Sequence, residues 1–227
     1  MKKLFLLAGA VCISSALMAQ KPTSDVKYSL EGNINYDATN GISWTAPNIR
    51  ARYFVNENIA ARVQLGMGSS NSKSLVYENA DGSGGTGSYN DAQSSMSIEL
   101  GAEYHLMGTE KMSPYFMGGI TIGSQSSSGS SENSDGASYV SGDSYEYKYS
   151  GSSFGLGIGA GMDYYIADNM YIGLELGWGW SSYSDGGGSD SYTSGGTTVS
   201  FDTPSSGSNS GMGTGAANTA FRIGWRF

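Results

Sequence analysis

The chain has very few of the residues that build most catalytic and metal sites. Its 227 residues include one cysteine, Cys12, and one histidine, His105. A zinc or iron–sulfur site made of cysteine and histidine ligands is therefore excluded, and so is a disulfide framework. Any Cys–His or Ser–His catalytic pair has to use His105. We expect no cofactor and no metal ion.

Charge is also scarce, and its sign disfavours a nucleic-acid partner. Only 14% of the residues are charged, and 12 Lys and Arg stand against 20 Asp and Glu, for a net charge of −8. Affinity for nucleic acids depends on clustered basic residues that face phosphates, so we exclude a nucleic-acid binder. Glycine is abundant instead, with 35 residues, which is unusual for a soluble helical domain.

Long apolar runs are confined to the start of the chain. Lys2 and Lys3 precede an apolar run from Leu4 to Ile13, and small residues follow. This order is typical of a secretory signal, so we assign residues 1–19 to a cleaved signal peptide and 20–227 to a single domain. Cleavage after Ala16 stays open as an alternative. No later stretch approaches the roughly 20 apolar residues of a membrane helix, which leaves a secreted or periplasmic protein or an outer-membrane barrel.

Strict alternation is the dominant pattern in the rest of the chain. From Phe154 to Tyr164 every even position is apolar and every odd position is Gly or Asp. A strand places such residues on one face, whereas a helix would scatter them. The segment 170–180 repeats this pattern, and six others follow it: 28–36, 49–53, 59–67, 96–104, 115–122 and 221–227. Most of the eight predicted strands have about 9–11 residues, the length with which a tilted strand crosses a bilayer.

The connections between these strands alternate in length. Three are short (55–58, 107–113 and 167–169) and four are longer (37–44, 69–93, 124–150 and 183–217). Short turns at one rim and long loops at the other are typical of up-and-down barrels of the outer membrane. We therefore predict an all-β fold, an eight-stranded antiparallel transmembrane β-barrel, with extracellular loops at about 69–93, 124–150 and 183–217.

Charged residues fall on the polar face of the predicted strands. In a closed barrel of eight strands this face lines an interior just wide enough for side chains, where unpaired charges are very costly. We therefore predict a packed ionic network, with Glu31 and either Arg222 or Arg226 as the pair that joins the last strand to the first. Its members are Arg50, Arg52, Arg62, Arg222, Arg226, Glu31, Glu99, Glu103, Asp163 and Glu175.

Aromatic residues cluster near the strand ends and predict two girdles at the bilayer interfaces. The girdle at the short-turn rim is Tyr28, Tyr53, Phe54, Tyr104, Tyr115, Tyr164, Tyr165, Tyr171 and Phe227. The girdle at the long-loop rim is Tyr36, Trp44, Trp178, Trp180 and Tyr183.

The signal peptide, the eight alternating strands and the ending from Phe221 to Phe227 resemble the small outer-membrane β-barrel family of the OmpA/OmpX type. The resemblance implies a porin-like protein of the outer membrane of a Gram-negative bacterium, embedded in the lipid bilayer. It also implies that the barrel-assembly machinery reads the last strand, through Phe221, Ile223, Trp225 and Phe227.

The function we expect is non-enzymatic, with a structural or surface-interaction role. Some relatives in this family are lipid A deacylases with a Ser-His-Glu arrangement at the outer rim, whereas His105 falls on the short-turn side. A lipid-modifying enzyme therefore stays a lesser alternative, and so does a narrow channel or conduit for small or hydrophobic molecules.

One segment of the third long connection suggests where a surface partner binds. Tyr145, Tyr147 and Tyr149 alternate with charged residues, which predicts a strand that continues above the membrane as an exposed edge. An exposed row of tyrosines is a candidate contact surface for an extracellular ligand or partner. A protruding hairpin without a partner is the other interpretation.

Overall fold

The structure, a computed structural model, describes residues 25–37, 41–43, 48–132, 142–213 and 220–227. All regular elements in these ranges are β-strands. The signal peptide predicted for residues 1–19 lies outside the described residues. The described part of the chain holds no helix of the length and apolar character needed to cross a membrane.

Eleven strands follow one another along the chain. They are β1 (Tyr28–Asp37), β2 (Gly41–Ser43), β3 (Asn48–Phe54), β4 (Ile59–Tyr77), β5 (Thr86–His105), β6 (Met112–Glu132), β7 (Ser144–Ala167), β8 (Met170–Ser194), β9 (Thr197–Thr203), β10 (Ser208–Gly213) and β11 (Ala220–Arg226).

Eight of these strands form a closed antiparallel ring in the order β1, β3, β4, β5, β6, β7, β8 and β11. The remaining three are additions: β2 pairs with β1, and both β9 and β10 pair with β8. Strand β11 closes the ring against β1, with Leu30 opposite Trp225 and the Tyr28 amide donating to the Phe227 carbonyl at 2.9 Å. The predicted all-β, eight-stranded antiparallel barrel is confirmed.

The two faces of the ring are inverted relative to a water-soluble protein. In β4 the buried residues Ala60, Arg62 and Gln64 alternate with the exposed residues Ile59, Ala61 and Val63. The same alternation runs through β11, where Arg222 is buried and Ile223 is exposed. An apolar outer face around a polar interior is the arrangement of a barrel that faces lipid.

Five strands are far longer than predicted. Strands β4 to β8 have 19, 20, 21, 24 and 25 residues, where the sequence pattern predicts 9–11. Much of the predicted loop 69–93 is therefore strand, because β4 continues to Tyr77 and β5 begins at Thr86. The same holds for 124–150 and 183–217. Alternation appears where one face of a strand is apolar, and most of these extensions carry polar residues on both faces. Among them, only the segment with Tyr145, Tyr147 and Tyr149 is predicted as strand from its alternation.

The extensions form an open wall at one end of the ring. Strands β9, β8, β7, β6, β5 and β4 are neighbours in this order. The pairing of β4 with β3 ends at Gly66, so the part of β4 beyond it pairs with β5 alone among the described residues. The opposite end of the ring carries the three short connections, and Asn169 in the last of them has the left-handed φ of 62° that a two-residue turn needs.

Candidate functional site: the barrel interior

The structure brings nine of the ten predicted charged residues into one buried network. Arg50, Arg52, Arg62 and Arg222 have side chains with no exposed surface. The carboxylates around them are Glu31, Glu99, Glu103, Asp163 and Glu175, and Glu99 is the most exposed at 6%. In a site this dry, charges persist only when they are paired and hydrogen-bonded.

Two arginines each contact three carboxylates. Arg52 lies 2.6 Å from Glu31, 2.9 Å from Glu103 and 2.8 Å from Asp163. Arg62 lies 2.8 Å from Glu175 and 3.3 Å from Glu103, and it also bonds Glu99. Since Arg52 is on β3 and Asp163 is on β7, these bonds cross the lumen and do not merely follow neighbouring strands.

The last strand meets the first through Arg222. Its Nη1 lies 2.8 Å from Oε2 of Glu31, and its Nη2 lies 3.0 Å from Oδ1 of Asp163. Arg226, the other candidate for this pair, has no carboxylate partner in the described chain. Its Nε donates to the Val26 carbonyl at 2.6 Å, and its guanidinium carbon lies 3.6 Å from the centre of the Phe54 ring. Arg226 is at the short-turn end of the ring, where a main-chain carbonyl and an aromatic face replace a counter-charge.

Glycines on the inward face leave room for the arginines. A Cβ atom on Gly173 would lie 2.6 Å from Nη2 of Arg222 and 3.0 Å from Oδ1 of Asp163. A Cβ atom on Gly101 would lie 3.2 Å from Cγ of Arg62. Glycine at these positions leaves the space next to the wall that the arginine side chains occupy.

Four aromatic residues predicted for the interface girdle lie inside the barrel instead. Phe54, Tyr115, Tyr165 and Tyr171 are at most 3% exposed. Tyr115 donates to Glu175 at 2.6 Å, and Tyr171 donates to Glu31 at 2.8 Å. Their position in the alternation could have predicted this. Tyr171, for example, is two residues from Gly173 and four from Glu175, so it lies on the same inward face of the strand.

Other girdle residues lie on the outer face, as their phase predicts. Tyr28, Tyr53, Tyr104, Phe227 and Trp178 are exposed there. Trp44 and the side chain of Tyr36 lie outside the described residues. The residues of the expected assembly signal, Phe221, Ile223, Trp225 and Phe227, form an exposed outward row along β11 and the residue after it.

His105 lies inside the barrel, at the end of β5. Its Nδ1 is 2.9 Å from Oγ of Ser113, and its Nε2 is 3.1 Å from Oε2 of Glu103. A hydroxyl, an imidazole and a carboxylate in this order resemble an activated nucleophile. All three residues are at most 2% exposed, and Glu103 is also bonded to Arg52 and Arg62. The two-residue spacing of Glu103 and His105 places both on one face of a strand, which is the signal in the sequence that brings them together.

Tyr145, Tyr147 and Tyr149 do not form an exposed edge. Strand β7 has β6 on one side and β8 on the other, with Tyr145 opposite both Ser131 and Tyr192. Tyr145 and Tyr149 donate to the two carboxylate oxygens of Asp190, at 2.5 and 2.7 Å, and Tyr147 donates to Asp91 at 2.5 Å. The predicted exposed edge is wrong, because β7 is paired on both sides and these rings share the inward phase of Asp163, so they line the lumen of the extension. Their contact with an extracellular ligand or partner stays a prediction.

These bonds shift the titration of the residues involved. The hydrogen bond to Asp190 raises the pKa of Tyr145 to about 12. Hydrogen bonds from Thr203, and then from Tyr145 and Tyr149, lower the pKa of Asp190.

Within the described residues no group of three His, Cys, Asp or Glu side chains is placed to hold a metal ion.

An antiparallel ring with an apolar outer face and a buried ionic interior defines a membrane-embedded β-barrel. The family model of the outer membrane protein beta-barrel domain matches residues 4–202. The chain belongs to this family, which confirms the resemblance seen in the sequence, and its location is the outer membrane. No curated protein matches the chain.

Solved structures of outer-membrane proteins are similar to this chain at low sequence identity. A major outer membrane protein from Thermus thermophilus has 13% identity and a TM-score of 0.45, over 88% of this chain and 98% of that one. Ail, the attachment invasion locus protein of Yersinia pestis, has 15% identity and a TM-score of 0.33, over 88% and 94%. The outer membrane protease OmpT from Escherichia coli has 10% identity and a TM-score of 0.29, over 88% and 93%.

Proposed function

We propose that this outer-membrane barrel is not an enzyme, that its lumen is sealed, and that its long-strand end contacts molecules outside the cell. The observation that carries the proposal is the buried ionic network. Arg50 bonds Glu175 across the lumen at 2.9 Å, and Arg52 bonds Asp163 at 2.8 Å. An ion that passes through the barrel would have to separate such pairs in a low-dielectric site, which is very unfavourable.

Planar-bilayer recording of the purified barrel tests the sealed lumen. We expect no stable single-channel steps from the wild-type protein. A variant in which Arg50 and Glu175 are both replaced by alanine loses one ion pair across the lumen without a change in net charge. It should show a higher background ion conductance than the wild type. Stable steps from the wild type would favour the alternative of a narrow channel.

The outward direction of the long-strand end is part of the proposal. Outer-membrane barrels have short periplasmic turns and longer extracellular segments. Strands β4 to β8 all extend at the end opposite the short connections, and their faces there are rich in serine and glycine. The other proposed partners are the lipid around the outer face and the assembly machinery at β11. Protease treatment of intact cells should cut the connection 78–85 and spare the turn at Glu57.

A lipid-modifying enzyme is the second candidate, and the Ser113–His105–Glu103 contact is the observation in its favour. Burial of all three residues and the salt bridges of Glu103 argue for a structural role instead. Mass spectrometry of lipid A from cells with wild-type protein, the Ser113→Ala variant or no protein separates the two. We expect identical acylation in all three; an acyl difference that Ser113→Ala abolishes would establish the enzyme.

A further inference from the structure

A second space, built from different chemistry, lies directly above the ionic network. Inward-facing residues that pair across β4, β5 and β6 lie at the same height in the lumen, and we call each such set a level. The level of Glu99, with Gln64 and Thr121, is the top of the network. The next level up is that of Ser97, with Gly66 and Gly123, and the one above it is that of Ser95, with Gly68 and Gln125. Across these levels the inward side chains change from buried, at Glu99, to exposed, at Ser95. The lumen is therefore dry below and open to water above.

This upper space is a cavity of about 530 Å³. We call it the vestibule and define it by its inward lining: Gly68, Ser70, Gln93, Ser95, Gln125, Ser127, Tyr149 and Tyr183. Its volume is within the range of small-molecule binding sites. Because the ionic network closes the lumen beneath it, the vestibule is a blind pocket and not part of a pore.

A buried acceptor without a partner in the described chain lies next to the lower end of this space. A smaller cavity, lined by Asn48, Ser97 and Ser153, adjoins the vestibule and shares Ser95 and Gln125 with it. Asn48 accepts a hydrogen bond from Nδ2 of Asn33 at 3.0 Å, whereas the buried Oδ1 of Asn33 has no partner among the described residues. Buried polar atoms are nearly always satisfied, so the surroundings of Asn48 and Asn33 favour an ordered water molecule at the lower end of the vestibule.

The chemistry of the lining selects the class of ligand. No acidic or basic side chain is among the described residues that line the vestibule, which provides hydroxyls, two amides and two tyrosine rings. An anionic ligand would find no counter-charge there, and Asp91 and Asp190 one level above would repel it. The same two carboxylates do not serve as a free site for a cation, because they already accept hydrogen bonds from tyrosine and threonine hydroxyls. The serine hydroxyls and amides disfavour an alkyl chain, whose burial would leave them unpaired.

The tyrosine rings are fixed before any ligand arrives. The Tyr149 hydroxyl donates to Asp190 at 2.7 Å, and Thr203 of β9 donates to the same oxygen at 2.6 Å. The Tyr183 ring lies against Gly151, where a Cβ atom would collide with it. Rigid rings offer flat apolar faces at little cost in conformational entropy, which lowers the cost of binding.

We propose that the vestibule binds a short, neutral oligosaccharide. Sugar hydroxyls both donate and accept, as the serines and the amides of Gln93 and Gln125 do, and the apolar face of a pyranose ring stacks on Tyr149 or Tyr183. The inference adds a ligand class to the proposed contact role of the long-strand end. It rests on that role only for access from outside the cell, since the pocket itself is a property of the fold.

Saturation-transfer NMR on the purified barrel in nanodiscs tests the proposal. The probes are maltotriose, cellotriose, chitotriose and a neutral polysaccharide fragment released from the host bacterium's own lipopolysaccharide, with sialyllactose as an anionic comparison. We expect at least one neutral probe to bind and sialyllactose not to bind. Binding of the lipopolysaccharide fragment alone would identify the cell's own surface as the source, and binding of the other sugars would identify an external one.

Matched variants locate the binding. The variant with Gln93→Ala and Gln125→Ala removes two amides from a wet surface, so the barrel should still fold, which its migration on an unheated gel verifies. We expect about tenfold weaker binding from this variant, as hydrogen bonds of ordinary strength predict. The control, Asn71→Ala, changes an exposed residue on the opposite face of β4 and should bind as the wild type does.

Three results would overturn the proposal: no binding by any neutral probe, stronger binding of sialyllactose, or unchanged affinity in the glutamine variant. None of these depends on the bilayer recordings, so the vestibule and the sealed lumen stand or fail separately.

Discussion

At the scale of single residues, Glu31 lies near three arginines, Arg50, Arg52 and Arg222, more than any other carboxylate in the described part of the network. It accepts from Arg222 at 2.8 Å and from the Tyr171 hydroxyl at 2.8 Å, and it lies 2.6 Å from Arg52. Replacing Glu31 with leucine should lower the free energy of unfolding by about 3–5 kcal/mol, because buried arginines lose their counter-charge. Urea unfolding of the barrel refolded in lipid vesicles measures this loss.

A charge-balanced variant and a surface variant control this measurement. Adding Arg222→Leu to Glu31→Leu should restore part of the lost stability, since the two charges are then removed together. Glu57→Leu, in an exposed turn, should change stability by at most about 0.5 kcal/mol. Equal stability of Glu31→Leu and Glu57→Leu would mean that the interior charges are solvated.

Gly173 tests whether the inward glycines are required. Gly173→Ala places a methyl group 2.6 Å from Nη2 of Arg222, so the ion pair with Asp163 must move, and we expect a loss of about 1–3 kcal/mol. Gly211→Ala is the matched control, because no atom lies within 4 Å of its Cβ position. Urea unfolding should rank Gly173→Ala as the less stable of the two, and the reverse order would show that the arginine adapts without cost.

Sequence alone could predict which face a charged residue occupies, but not what it touches. The phase of Arg222 placed it inside, and the need for closure placed it near Glu31. Its second bond, to Asp163 of β7, depends on register and on barrel diameter, which no single strand encodes. The partners of Arg226 could not be predicted either. They are the Val26 carbonyl and the Phe54 ring, and a count of opposite charges includes neither.

At the scale of strands, the pattern predicts only the part of each strand that lies in lipid. Residues 59–67 alternate because Ile59, Val63 and Met67 face outward, and β4 then continues to Tyr77 without alternation. Backbone hydrogen bonds with β5 hold this extension, whatever its side chains are. The length of the alternating segment therefore corresponds to the part of the strand within the lipid and not to the full length of the strand.

The bonds among β7, β8 and β9 should make the extension sensitive to pH at both extremes. The pKa of Asp190 is lowered, so its contribution to stability is present above the ordinary aspartate value of about 3.9 and is lost as pH falls through the lowered one. The pKa of Tyr145 is raised to about 12, so its contribution is complete below about pH 10 and is lost as pH rises through about 12.

Ultraviolet difference titration of the wild type against Tyr145→Phe isolates this tyrosine. We expect its pKa near 12, and we expect Asp190→Ala to return it towards the ordinary value of about 10. Asp202→Ala, an exposed change on β9, is the control and should leave the titration unchanged. An ordinary pKa in the wild type would show that the bond between Tyr145 and Asp190 does not form.

At the scale of the whole molecule, two interiors are stacked along one barrel. Rows of arginine and carboxylate fill the part within the apolar belt, and rows of serine, glutamine and tyrosine line the part beyond it. The first region holds the strands together across the lumen, whereas the second leaves a space that water enters. The ring could be predicted from the sequence because alternation and an even strand number imply closure. The vestibule could not, because it depends on extensions that mostly carry polar residues on both faces.

The boundary between the two interiors can be located by chemical labelling. Two single-cysteine variants, Ser95→Cys and Gln64→Cys, are made in a Cys12→Ser background. Both positions face the lumen, and they are two levels apart, because Ser95 is opposite Gly68 and Gly66 lies between Gly68 and Gln64 on the same face. Ser95 is exposed, whereas Gln64 is 5% exposed and accepts two hydrogen bonds from Arg50. A charged maleimide added to intact cells should modify the Ser95→Cys variant rapidly and leave the Gln64→Cys variant unmodified until the protein is denatured. Equal reaction at both positions would mean that water fills the lumen beyond the network, and the barrel would then be a channel and not a blind pocket.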